Sequence, residues 1–298
     1  MDLILSSISQ GLLWSIMAIG VYLTFRILDI ADLTAEGAYP MGAAICATGI
    51  VNGMNPLLAT LLAFMGGMFA GLISGLLHTK MKIPALLTGI VTLTGLYSIN
   101  LKILGKANVA LLRQQTLVTQ LQKMGLTKTY AVLLIGVIFV VLVIALLTLL
   151  LNTQIGLALR STGDNIPMSE ANGINVNKMK IYGYMLSNGL IALCGALLTQ
   201  NNGYADLNSG TGTIVIGLAS VIIAEVILRN LRIGWRLCSV VLGAVIYRLI
   251  ILAILEIPGM DADLVKLFSA TLLALVLFVP ELQKKLQIRR PNVSEKSA

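Results

Sequence analysis

Charge is what this 298-residue chain has least of: Asp, Glu, Lys and Arg make up 11% of it, against about 25% in an ordinary soluble domain. With 57% of the residues hydrophobic, a water-soluble globule is excluded, because no single core could hide that much apolar surface. Histidine occurs once, as His78 at the end of an apolar run beside Lys80 and Lys82, and reads as an interfacial residue rather than a base or ligand. The three cysteines, Cys46, Cys194 and Cys238, lie in apolar segments without CxxC or Cys/His spacing, which argues against a disulfide framework and a zinc site. Phosphate-loop, HExxH and GxSxG patterns are all missing, so energy for any work must come from a partner or an ion gradient. No basic leader or cleavage site precedes or follows the first apolar run, so Leu3 to Phe25 is expected to be a retained helix.

What is present is length in apolar runs. Mean hydropathy is +0.91, and a bilayer core of roughly 30 Å asks for about 20 apolar residues per helical crossing. Nine segments stand out, near 3–25, 37–52, 56–78, 84–104, 129–151, 181–200, 213–228, 237–256 and 264–281. They lack period-two alternation, so the expected fold is all-α: a polytopic transmembrane helical bundle of about 8–9 hydrophobic segments. Segments 37–52 and 213–228 are short and entered through glycine-rich polar sequence, which implies broken or re-entrant helices. Residues 1–281 read as one transmembrane domain and 282–298 as a basic tail, with no evident inverted repeat.

The net charge of +8 sits in the gaps between segments, a topology signal rather than a nucleic-acid footprint. Lys80, Lys82, Arg160, Lys178, Lys180, Arg229, Arg232, Arg236 and the tail fall on one side, giving an outside N-terminus and a cytoplasmic C-terminus. The stretch Gly105 to Lys128 resists the rule; its apolar spacing fits an amphipathic piece on the interface or an irregular loop.

Asn152 to Lys180 is the longest polar interruption. Asp164 or Asn165 can cap a short helix, Pro167 suits its first turn, and Gly173 suits a left-handed C-terminal cap. About two turns of helix outside the hydrocarbon would serve as a lever from a cytosolic partner, or simply as an ordered loop. The runs GLALR (Gly156 to Arg160), Gly163-Asp164-Asn165 and EANGI (Glu170 to Ile174) resemble the coupling segment of ABC importer permeases in the branched-chain amino acid and sugar permease superfamily. Ser161 departs from the alanine usual there. DLTAEG (Asp32 to Gly37), YPMGAA (Tyr39 to Ala44), LLTGI (Leu86 to Ile90) and TGLYSINL (Thr94 to Leu101) resemble the tryptophan-type uptake permeases of that superfamily, with Gly95 in place of a larger residue.

Independently of the resemblance, Asp32 and Glu36 are costly in lipid and should face protein or water, as groups at a broken helix end or as caps at the surface. Glu225 and Arg248 are the other intramembrane charges; they could pair across adjacent helices or belong to a gate. Gly67, Gly71 and Gly75 permit close helix approach, within the subunit or at a dimer seam.

The resemblance implies a permease that dimerises in the cell membrane. It would bind cytosolic ATPase subunits through residues 156–178, with Arg160, Gly163, Asp164, Asn165, Pro167, Glu170 and Gly173 as contacts. It would receive an amino acid, tryptophan-like by best match, from an extracytoplasmic binding protein. ATP and Mg would sit on the ATPases, with no cofactor on this chain and no enzymatic site. Polar or aromatic groups set in apolar helices, Asp32, Thr34, Glu36, Tyr39, Thr94, Tyr97 and Asn100, are the candidate pathway residues. The rival is an ion-driven secondary transporter with Asp32, Glu36 and Glu225 as carriers.

Overall fold

The computed structural model describes residues 2–228, 233–256, 267–275 and 278. In chain order the elements are α1 (Asp2–Tyr22), a π-helical turn (Leu23–Ile27), α2 (Ala35–Val51), α3 (Pro56–Thr79), α4 (Ala85–Leu104), β1 (Asn108–Ala110), α5 (Leu117–Lys123) and α6 (Lys128–Leu151). Then come α7 (Gln154–Asp164), α8 (Ile166–Ala171), α9 (Val176–Asn202), β2 (Tyr204–Asp206), a 3-10 turn (Leu207–Gly210), α10 (Thr213–Ile227) and α11 (Ile233–Leu255). Residues 267–275 are helical; the rest of the ninth expected segment, Arg229, Arg232 and the basic tail lie outside the described residues. The chain is a polytopic helical bundle, and among the described residues seven helical stretches are long and apolar enough to cross a membrane.

Burial sorts these helices into inner and outer ones. The most apolar window of α9 is 78% buried, whereas that of α6, with the highest hydropathy of all, is 33% buried. A helix apolar on every side and poorly covered by protein is satisfied only by lipid, so α6 forms the outer wall. The axis is built from α2 and α9, which approach until only glycine fits: a Cβ on Gly42 would overlap the Ala192 carbonyl, and one on Gly195 the Tyr39 carbonyl. Gly67, Gly71 and Gly75 line α3 against α9 at Asn188, Tyr184 and Ile181 in turn, so that stripe packs inside the subunit.

Both short segments start after a break in the backbone. After the π turn the chain runs from Leu28, packed on Gly183, to Asp32, bonded to Asn188, about 7 Å along α9, and only then starts α2. At the other end Gly212, at φ +81°, caps α10 after the 3-10 turn. The succession α1, break, α2, α3 is repeated in the opposite direction as α9, break, α10, α11. The Leu13 carbonyl meets Cys194 and Gly20 meets Ser187, so α1 and α9 run antiparallel. The two runs thus share an order of elements and are led by antiparallel helices, although their amino-acid patterns are unlike.

The two ends of the bundle differ. One carries α7 and α8; the other carries α5 and a two-stranded antiparallel ladder, hairpin-like in shape but made of strands far apart in the chain, in which Asn108, Val109 and Ala110 face Asp206, Ala205 and Tyr204. The Gly105–Lys128 stretch thus holds a three-residue strand and a helix with a Thr116–Thr119 capping box, not one amphipathic piece or an irregular loop. At the opposite end the expected two-turn helix is α8. Asn165 caps it by accepting from the Met168 N–H at 3.0 Å, and Gly173 follows at φ +77°. The eleven-residue α7 before it is an addition to the sequence expectation.

Candidate functional site

Where the starts of α2 and α10 meet, the bundle opens into a cleft of about 420 Å³ lined by α2, α4 and the 207–211 turn. Glu36 stands between two helix starts. It lies in the first turn of α2, and its Oε1 accepts the Gly212 N–H, at the cap of α10, at 2.9 Å. Two positive helix ends converging on one carboxylate offset the cost of holding that charge among apolar helices. Pro40 deepens the break: it has no N–H for the Glu36 carbonyl, and Gly210 packs against that oxygen so closely that a Cβ would overlap it.

The other wall is one face of α4. Thr94, Tyr97 and Ser98 are exposed to the cleft, Tyr97 by 49% of its surface. Fully buried Asn100 donates to the Gly37 carbonyl at 3.1 Å, and its buried Oδ1 has no partner among the described residues. Asn208 and Thr211 add polar groups from the turn. Glu36 is the one charged residue of this lining, so the cleft offers acceptors, one negative charge and an aromatic face.

Of the seven candidate pathway residues, Glu36, Thr94, Tyr97 and Asn100 are brought together here. Asp32, Thr34 and Tyr39 are not. Asp32 is buried in a polar network beneath the cleft, its carboxyl accepting from the Thr34 N–H at 2.9 Å and from Asn188 Nδ2 at 2.7 Å. Thr34 continues the network to Ser74 at 2.8 Å, and Ser74 donates to Thr92 at 3.0 Å. Tyr39 stacks on Trp14 in the core with ring centroids 5.6 Å apart. His78 packs against Tyr184, and its Nδ1 lies 2.8 Å from the Ile83 carbonyl. Ser98, Asn208 and Thr211 were missed; Ser98 lies four residues after Thr94 on the same face, a signal open to helical spacing.

The expected pairing of Glu225 with Arg248 is overturned. Glu225 pairs with Arg26 at 2.6 Å, and Arg248 instead donates to Gln10. The reason is depth: α10 ends where the π turn of α1 ends, placing Glu225 beside Arg26, while Arg248 lies two-thirds of the way along α11 toward the hairpin end.

A continuous path of contacts joins α7 and α8 to the cleft. A Cβ on Gly163 would overlap the Ile27 carbonyl, so α7 lies directly on the end of the π turn. Leu28 packs on Gly183, and Leu159 of α7 reaches the same spot. From Leu28 the backbone leads through Asp32 to Glu36 in under three turns' length of chain. Arg160, Asp164, Asn165, Pro167 and Glu170 sit on these two helices, and Gly173 ends them. Exposed Ile155, Leu157, Ile166 and Met168 give the same end an apolar surface. Among the described residues no group of three or more His, Cys, Asp or Glu converges as a metal site would need.

Comparison with known proteins adds the family. Residues 3–277 match the model described as branched-chain amino acid transport system, permease component. The chain is 39% identical over 289 residues to a tyrosine transport system permease protein of Clostridioides difficile, covering 97% of this chain and 94% of that one. It is 32% identical to an uncharacterized protein of Rickettsia prowazekii, covering 94% and 96%. An autoinducer 2 import system permease protein of Yersinia enterocolitica is 26% identical, covering 88% and 71%. No solved structure matches significantly.

Proposed function

This chain belongs to the branched-chain amino acid transport system permease family, and from that premise we propose that it is the transmembrane subunit of an ATP-driven importer for an aromatic amino acid. The α7–α8 end faces the cytosol and binds ATPase subunits, which hold ATP and Mg; the hairpin end faces outward and meets a solute-binding protein. The observation that carries this reading is the contact path from Gly163 through Ile27 and Leu28 to Glu36. π turns are frequent at functional sites, and here one ends α1 between the docking end and the one carboxylate in the cleft. Movement of α7 relative to α1 would displace residues 28–34 and change the contact between Glu36 and Gly212, opening the cleft to one side or the other. Such a switch works only if the solute binds its two states differently.

The cleft supports an amino acid as cargo. Glu36 suits an ammonium group, and Tyr97 offers a ring for stacking. The relative that transports tyrosine favours that residue over tryptophan within the same aromatic class. The cleft opens on the sparsely covered α4 face, which supports closure by a second copy of the chain.

The deciding experiment reconstitutes the chain in proteoliposomes with its ATPase and binding protein. Uptake of labelled tyrosine or tryptophan is expected only with ATP on the ATPase side. Uptake by the chain alone, driven by a proton or sodium gradient, would replace this reading with secondary transport.

A further inference from the structure

A second polar cavity, of about 480 Å³, lies at the hairpin end on the other side of the bundle, between the starts of α1 and α6, the end of α9, β2 and α11. Ser9, Gln10, Lys128, Asn201, Tyr204 and Arg248 line it. It holds two cations and no carboxylate. Arg248 is the informative one. It is half-buried inside α11, its bonded partner is the neutral amide of Gln10, and no carboxylate among the described residues pairs with it. A guanidinium cannot discard its charge, and a buried charge left without a counter-ion is costly by several kcal/mol, roughly. The positive end of α6 and the negative end of α9 both face the cavity and offset one another, so its positive field comes from the side chains of Lys128 and Arg248.

We propose that this cavity binds a phosphate-bearing anion, the headgroup of an anionic phospholipid, with Arg248 and Lys128 as its cationic partners. The location selects the source. α6 is the most apolar helix and is poorly covered by protein; Lys128 is its first residue and lines the cavity with Tyr204, and the end of an apolar crossing is where a lipid headgroup comes within reach. The cleft beside α4 shares no lining residue with this cavity. Arg248 supplies a planar fork that matches two phosphate oxygens, Lys128 a point charge, and Ser9 and Asn201 neutral donors around them.

The test is retention of lipid by the purified full chain, read by native mass spectrometry and by thermal unfolding in detergent. Phosphatidylglycerol is expected to stay bound and to raise the unfolding temperature, phosphatidylcholine at the same concentration to do neither. Lys128→Gln should weaken phosphatidylglycerol retention about tenfold, the loss of one charge-assisted contact, and Arg248→Gln at least as much. Should Arg248→Gln fail to fold, Lys128→Gln still decides, because Lys128 is exposed. Inorganic phosphate alone, stabilising the chain in a Lys128-dependent way while phosphatidylglycerol does not, would keep the site and make its ligand a free anion. Equal retention of both lipids with no effect of phosphate, or a Lys128→Gln variant that binds as the parent does, would overturn the assignment.

Discussion

Gly163→Ala is the smallest change that tests the lever. The added methyl would overlap the Ile27 carbonyl, so α7 must move off the π turn by on the order of 1–2 Å to restore van der Waals distance. Overpacking of that kind costs about 1–3 kcal/mol, and the better helix propensity of alanine returns about 1 kcal/mol, leaving a net loss of roughly 0–2 kcal/mol. The chain should therefore fold, insert and still copurify with its ATPase. Transport should suffer far more, since a coupling energy of about 1–3 kcal/mol corresponds to about 5- to 150-fold. The assay compares ATP hydrolysed with labelled amino acid taken up in proteoliposomes. Ser161→Ala is the control, on the same helix, where it removes only a hydroxyl bonded to the Ala158 carbonyl at 3.0 Å. Normal uptake per ATP in Gly163→Ala would refute the lever.

Three further outcomes follow from the polar contacts. Asp32→Ala strands the Thr34 N–H and one Asn188 proton and should destabilise by about 2–4 kcal/mol in reversible SDS unfolding. Asp32→Asn should cost under half of that, because its amide oxygen still accepts from the Thr34 N–H; equal losses would count against the network. Glu36→Gln keeps an acceptor for Gly212 but removes the charge, so uptake should fall about tenfold or more with little change in unfolding; unchanged uptake would remove Glu36 from solute binding. The Arg26–Glu225 pair is 57% and 41% exposed, so a double-mutant cycle should give less than about 1 kcal/mol, falling further in salt; a larger value would mean the pair is buried in the assembled transporter.

What was legible in the sequence is what local rules decide. Asn165, Pro167 and Gly173 mark the ends of α8 because capping depends on residues within one turn. The apolar runs mark the crossings for the same reason. The hairpin was not legible: its strands have three residues each and pair across almost a hundred residues of chain. Nor was the partner of Glu225, which depends on two helices of different length ending at one level. In the cleft, Glu36, Thr94, Tyr97 and Asn100 could be chosen as polar groups in apolar surroundings. The same criterion admitted Asp32, Thr34 and Tyr39, because it does not know which side of a helix meets a cavity and which meets Asn188, Ser74 or Trp14.

The central claim is that α8 lies on the cytosolic side against an ATP-hydrolysing partner, and accessibility at Met168 measures it most directly. Met168 is 64% exposed on α8, so a cysteine there, with Cys46, Cys194 and Cys238 replaced by alanine, presents one reachable thiol. A membrane-impermeant maleimide should leave it untouched in intact cells, label it in inverted vesicles, and lose that access when the ATPase is coexpressed. Labelling from the outside of intact cells would contradict both the orientation and the source of energy.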